Sequence, residues 1–157
     1  MKEKNGEHPF GDVGQLISLA VFMVLWVADS FFLKISTFLS SYVPLYVRIS
    51  ILLAAIAIAV SLVKSGHVVV GHEQRSRSLV SSGAFRYIRH PLYLGSVLFY
   101  FGMAVSTASL FSIALLVVIF IFYNYIAQYE EKLLEKEFGE EYELYKHRTG
   151  KWVPKIW

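Results

Sequence analysis

Four runs of apolar residues, separated by short polar or heavily charged connections, set the pattern of this chain. The first is Leu16 to Leu33, broken only by Ser18, Asp29 and Ser30. The second runs from Leu45 to Val63 with Arg48 near its start, the third from Leu92 to Val105, and the fourth from Leu110 to Ala127. A helix rises about 1.5 Å per residue and the hydrocarbon core of a bilayer is about 30 Å thick, so roughly twenty residues cross it. Runs one, two and four meet that length. The third is short, so it borrows length from its flanks or ends inside the bilayer. The uncharged turn Ser106-Thr107-Ala108-Ser109 joins runs three and four as a tight helical hairpin. The pattern predicts an all-α integral membrane protein of one domain with about four transmembrane helices. Residues 1–63 carry two spans, 64–91 a loop, 92–127 the hairpin and 128–157 a helical tail.

The distribution of charge orients these spans. Lys64, Arg75, Arg77, Arg86 and Arg89 precede the hairpin, and Lys132, Lys136, Lys146, Arg148, Lys151 and Lys155 follow it, whereas the connection of the first two runs has only Lys34 and, at the start of the second run, Arg48. By the bias of Lys and Arg toward the inner face, both basic regions and the N-terminus are expected on the cytoplasmic side. The first run is followed by no small-residue cleavage signal, so it is expected to be a retained span. Together with the short chain, this points to a prokaryotic inner membrane. Over 157 residues, 55% are hydrophobic and 17% charged, below the quarter or so usual for a soluble domain. The absence of cysteine excludes disulfides, thiol nucleophiles and thiolate-held metals. A net charge of +3, split between regions, gives no basic stripe for nucleic acid.

Two stretches bring polar chemistry to the mouth of the hairpin. In Arg89-His90-Pro91-Leu92-Tyr93-Leu94-Gly95, the proline suits the first turn of a helix, where its missing N–H costs nothing. His90 then occupies the cap position beside the positive end of the helix, with Arg89 adjacent. Such a point favours an anionic or hydrogen-bond-accepting ligand. It equally suits arginines that anchor the helix to anionic head groups, with His90 as a plain cap. The second stretch begins inside the fourth run: Asn124, Gln128, Glu131 and Glu135 share one helical face, and Tyr123, Glu130 and Glu137 line a neighbouring one. Polar residues within a membrane helix are functional candidates, whereas residues 135–143 read as an interfacial amphipathic helix. His67 and His72 do not share a helical face and His8 and His147 lie in polar ends, so no metal or haem site is expected. Most of the aromatics read as packing or interface residues.

Taken together, the text from Leu79 to Gly95 (LVSSGAFRYIRHPLYLG) and from Tyr129 to Pro154 (YEEKLLEKEFGEEYELYKHRTGKWVP), with one hairpin between, resembles the isoprenylcysteine carboxyl methyltransferases. These are integral-membrane enzymes that use S-adenosylmethionine. The resemblance implies cofactor contacts from Arg77, Ser78, Leu79 and Val80, from Arg89, His90, Pro91, Leu92 and Tyr93, and from Glu130 and Glu131. It implies a lipophilic or lipid-modified methyl acceptor met at the membrane, with Tyr123, Ile126 and Arg86 on the acceptor's side and no catalytic residue assigned. Two positions depart from the family's pattern. Phe85 stands where a tyrosine is common, and Ile126 stands where the eukaryotic prenylcysteine enzymes carry a substrate-contacting arginine. With Phe122, Tyr123 and Tyr125, Ile126 is expected to form an apolar, aromatic wall. Membrane sterol reductases share the Arg-His-Pro-x-Tyr element but bind NADPH, and a haem-binding or assembly protein is a third reading.

Overall fold

The computed structural model describes residues 11–73 and 79–155, so Arg77 and Ser78 lie outside the described residues. Helix α1 (Gly11–Val27) continues into a π-helical turn at Ala28–Leu33, and α2 (Leu45–Glu73) returns after a single 3-10 turn at Phe38–Ser41. A second 3-10 turn, Gly83–Arg86, leads to α3 (Pro91–Thr107), then α4 (Leu110–Phe138) and the short α5 (Glu140–Arg148). Three of these segments, Val13–Leu33, Leu45–Gly66 and Leu110–Phe138, are long and apolar enough to cross a membrane, and α3 is a shorter apolar helix. At about 1.5 Å per residue the 17 residues of α3 reach about 26 Å, a little less than the hydrocarbon thickness. The all-α membrane architecture is as the pattern predicted.

Close packing of α3 against α2 depends on residues without bulk. A Cβ added at Gly95 would lie 3.2 Å from the Ala59 carbonyl oxygen and 2.9 Å from Val63, and one at Gly102 would lie 3.0 Å from Ala55. Small residues that let backbones approach are the usual device for joining helices in lipid, where burial of apolar surface gives little drive. Between α1, α3 and α4 the core is aromatic. The Phe22 and Tyr100 rings lie 4.6 Å apart, the Tyr93 and Tyr123 rings 5.3 Å apart, and the Tyr100 and Tyr123 hydroxyls are 3.3 Å apart. Large apolar side chains such as Leu16, Val24, Phe32, Val117 and Ile121 point outward, as a lipid-facing surface requires.

The hairpin closes as predicted. Ala108 adopts the left-handed conformation that ends α3, and the Ser109 side chain accepts from the Ser112 N–H to start α4. At this end, called distal here, a polar knot ties the two halves of the bundle. Buried Asp29, in the π-helical turn, accepts from the Ser109 hydroxyl at 2.6 Å, the Ser36 N–H at 3.1 Å and the Ser36 hydroxyl. Arg48 donates to the Ser106 carbonyl at 2.7 Å, satisfying one of the carbonyls left open at the end of α3. A buried carboxylate is tolerated when its lone pairs are used in this way.

The opposite, proximal end gathers residues 79–90 before α3 and residues 129–155. The Ala84 N–H donates to the Ser65 hydroxyl at 2.9 Å, and the Tyr145 hydroxyl to the Phe85 carbonyl at 2.7 Å. The described parts of both basic regions therefore share one end of the bundle, as the charge pattern implied.

Candidate functional site

At the proximal end, α4 runs on past its apolar portion, and the whole helix of 29 residues is about 44 Å long. Its extension carries Glu130 and Glu131 up beside the start of α3. Consecutive residues on a helix point about 100° apart, yet both carboxylates come near His90, Glu131 at 3.1 Å and Glu130 at 3.8 Å. Beyond α4, Gly139 at φ +52° turns the chain into α5, and the segment after α5 comes back across the site. Gly150 forms an isolated parallel bridge with Ile88. The Arg89 N–H donates to the Gly150 carbonyl at 2.9 Å, and the Gly150 N–H to the Tyr87 carbonyl at 3.2 Å. Only glycine fits there, because the Val153 carbonyl lies where a Cβ would be.

His90 is 7% exposed. Its Nε2 lies 3.1 Å from Glu131 Oε1, and its Nδ1 lies 3.8 Å from Glu130 Oε2. The shorter contact assigns the proton to Nε2, which donates to Glu131 and leaves Nδ1 as an acceptor. Arg89 donates from Nε to the same Glu131 oxygen at 2.8 Å and from Nη1 to the Thr149 carbonyl at 2.7 Å. Glu130 accepts from the Tyr93 hydroxyl at 2.7 Å. The imidazole lies between two aromatic rings, Tyr93 and Trp152, each with its centroid 5.8 Å away. Burial pushes the His90 pKa below the usual histidine range, aided by the nearby Lys151 and Arg89 charges. The hydrogen bond and charge of Glu131 oppose this but do not win. His90 is therefore a neutral, oriented imidazole.

Most of the predicted cofactor residues thus come together. Arg89, His90 and Glu131 form one hydrogen-bonded cluster, the hydrogen-bonded pair of Tyr93 and Glu130 lies beside it with Glu130 3.8 Å from His90, and Pro91 is buried. His90 holds the cap position of α3, but its side chain makes no cap hydrogen bond, so the reading of it as a plain cap is replaced by a histidine turned to the carboxylates. Leu92 faces the other way, toward Gly66 of α2. Leu79 is buried and Val80 half-buried in the segment before the 3-10 turn. On the predicted acceptor side, Tyr123 and Ile126 are buried in the core. Arg86 is exposed, 6.0 Å from the Tyr87 ring and outside the buried cluster. The expected aromatic wall is divided, because Tyr123 and Ile126 point inward while Phe122 and Tyr125 are 39% and 65% exposed. Consecutive residues on a helix point about 100° apart, so Tyr123 and Ile126 are buried while the residue before each is exposed.

Of the polar stripe on α4, Glu131 meets Arg89 and His90, Glu135 pairs with Lys146, and Asn124 meets the returning tail, while Gln128 is exposed. Sequence reasoning did not assign the tail a place in the site. Trp152 and Thr149 belong to a non-helical segment with no periodicity, and only the Gly-Lys-Trp step after a helical pattern marks it.

These features define a polytopic α-helical membrane protein whose charged, aromatic-flanked site sits where the apolar bundle gives way to the tail. The profile of the phospholipid methyltransferase family matches residues 49–141, and the chain belongs to that family. Its relatives bear out the resemblance to isoprenylcysteine carboxyl methyltransferases. A probable protein-S-isoprenylcysteine O-methyltransferase of Oryza sativa subsp. indica is 32% identical over 91 residues, covering 57% of this chain and 48% of the rice protein. The protein-S-isoprenylcysteine O-methyltransferase of Schizosaccharomyces pombe is 29% identical over 91 residues, covering 57% of this chain and 39% of the yeast protein. Methanethiol S-methyltransferase 1 of Bradyrhizobium diazoefficiens is 33% identical over 85 residues, 54% of this chain and 29% of that protein. The matched stretch spans about half the length of the rice relative and less of the other two.

Proposed function

We propose that this protein is a membrane methyltransferase that uses S-adenosylmethionine and acts on a lipophilic acceptor. The observation that carries the reading is the buried His90 held beside Glu130 and Glu131 at the junction of bundle and tail. The donor set suits the cofactor. Glu130 and the acceptor Nδ1 of His90 match an ammonium or ribose hydroxyls, the α3 start without a side-chain cap favours a carboxylate, and the Tyr93 and Trp152 rings suit a cationic centre. Bound there, S-adenosylmethionine supplies an electrophilic methyl group on a sulfonium. The residues of the chain hold and orient: Glu131 and Arg89 fix the His90 ring, and the aromatic faces exclude water. Positioning of this kind can supply most of the acceleration of a methyl displacement. An acceptor that arrives as a carboxylate or thiolate needs no base, which leaves His90 and Glu130 to bind and orient.

The Lys and Arg distribution favours the cytoplasmic face for this site. The outward apolar surfaces favour an acceptor that enters from the bilayer, such as a prenylcysteine carboxylate, a lipid or a lipophilic thiol. Incubation of the purified protein with methyl-labelled S-adenosylmethionine tests the reading, with farnesylcysteine analogues in one arm and total membrane lipid in the other. Label is expected in a solvent-extractable product of at least one arm. No label in either arm, from protein that is folded, would contradict the reading.

A further inference from the structure

At the proximal end Arg89 and Lys146 have carboxylate partners, Glu131 and Glu135. Lys151 has none among the described residues. Its Nζ donates instead to the neutral Asn124 side chain, at 2.8 Å from Oδ1, and sits 5.9 Å from the Trp152 ring centroid. Asn124 lies three residues before the end of the apolar run at Ala127 and about 10 Å further along α4 toward the membrane than Glu131. The tail thus carries an ammonium back from the charged end and sets it beside the last apolar turns. Burial, together with the nearby Arg89 charge, pushes its pKa below the usual lysine range against the opposing charge of Glu131.

A lysine that merely bordered the membrane would lay its stem on apolar surface and send its charge outward to water or head groups. Here the charge is turned to α4 and fixed there. Asn124 also accepts from the Trp152 indole at 3.2 Å, and the Trp152 ring lies tilted against His90 at 5.8 Å and against Phe120 at 5.1 Å. One amide therefore holds both a cation and a ring that borders the site. Glu131 acts on this charge only at a distance; a partly desolvated charge without a direct ion-pair partner is unfavourable, and such groups in membrane proteins mark ligand paths.

We propose that Lys151 is a binding residue that receives the anionic oxygen group of a ligand seated beside His90 and Trp152. That anion is brought either by the head of the acceptor or by the amino-acid end of the cofactor. The proposal rests on the methyltransferase reading above. It assigns Asn124 a role as well: the amide positions Lys151 and Trp152 and does not itself touch the ligand.

The test uses the full chain in phosphatidylcholine nanodiscs and isothermal titration with three probes: S-adenosylhomocysteine, N-acetyl-S-farnesylcysteine and the carboxamide of the latter. Lys151→Met is expected to weaken at least one of the two acids by about tenfold or more, the scale of a lost charge-assisted hydrogen bond. It should leave the carboxamide unchanged, and Lys151→Arg should restore the acid. A loss with the farnesyl acid assigns the anion to the acceptor, and a loss with S-adenosylhomocysteine assigns it to the cofactor. Unchanged binding of both acids overturns the proposal, as does equal weakening of all three probes, which marks a structural role. Should Lys151→Met not fold, Lys151→Gln against Lys151→Arg carries the same comparison. A wild-type protein that takes no S-adenosylhomocysteine removes the methyltransferase reading itself. One that binds it while neither acid responds to Lys151 removes only this proposal.

Discussion

Glu131→Ala is expected to lower folding stability by about 3–5 kcal/mol, the range found when one partner of a buried ion pair is removed. The Glu131 side chain is 12% exposed and holds Arg89 at 2.8 Å and His90 at 3.1 Å through one oxygen. Its removal leaves a guanidinium that is itself 11% exposed without a counter-charge. Arg89 also ties the tail down through the Thr149 carbonyl, so the loss should spread to the bridge between Ile88 and Gly150. Glu131→Gln keeps an oxygen for Arg89 or His90 and should recover part of the deficit. Thermal or chemical unfolding in detergent measures both. A loss below about 1 kcal/mol for alanine would place the pair among ordinary solvated salt bridges.

The second large effect concerns binding. His90→Ala is expected to abolish S-adenosylhomocysteine binding and leave a folded protein, because it removes the Nδ1 acceptor and the ring between Tyr93 and Trp152. It should also change the response to acid. Burial lowers the His90 pKa in the fold, so below the usual value of about 6.5 the unfolded chain takes up a proton that the folded one does not. The unfolded state then binds more protons and stability falls as pH falls. The contribution is present in full above about 6.5 and is lost as pH drops toward the lowered value. Melting temperatures from pH 8 to pH 5 should show this decline in the wild type and a flatter profile in His90→Ala. Normal ligand binding by the variant would move the site away from His90.

Much of this arrangement is visible in the sequence, because apolar run lengths and the positions of charge report directly on the solvent each segment faces. The four helices, the turn at Ser106–Ser109 and the shared end of the two basic regions follow from that alone. The double glutamate and the Arg-His-Pro step mark the site for the same reason: charge beside an apolar run is costly unless it is used. What periodicity does not report is the partner. Asp29 reads only as a break in the first run, because the hydroxyls of Ser36 and Ser109 that accommodate it come from other turns. Asn124 stands out as polar within a span, yet its partners Lys151 and Trp152 lie in a stretch held by one backbone bridge and no regular element. The division of Phe122 and Tyr125 from Tyr123 and Ile126 depends on which side of α4 the core occupies, and a helix that is apolar all round leaves that open.

The central claim is that the cluster of His90, Glu130 and Glu131 binds S-adenosylmethionine. Titration of the purified protein with S-adenosylhomocysteine and, in parallel, with NADPH tests it most directly. The account predicts saturable S-adenosylhomocysteine binding in about the micromolar range, lost in His90→Ala, and no binding of NADPH. Binding of NADPH without S-adenosylhomocysteine would contradict it, and would make the Arg-His-Pro-x-Tyr stretch part of a reductase.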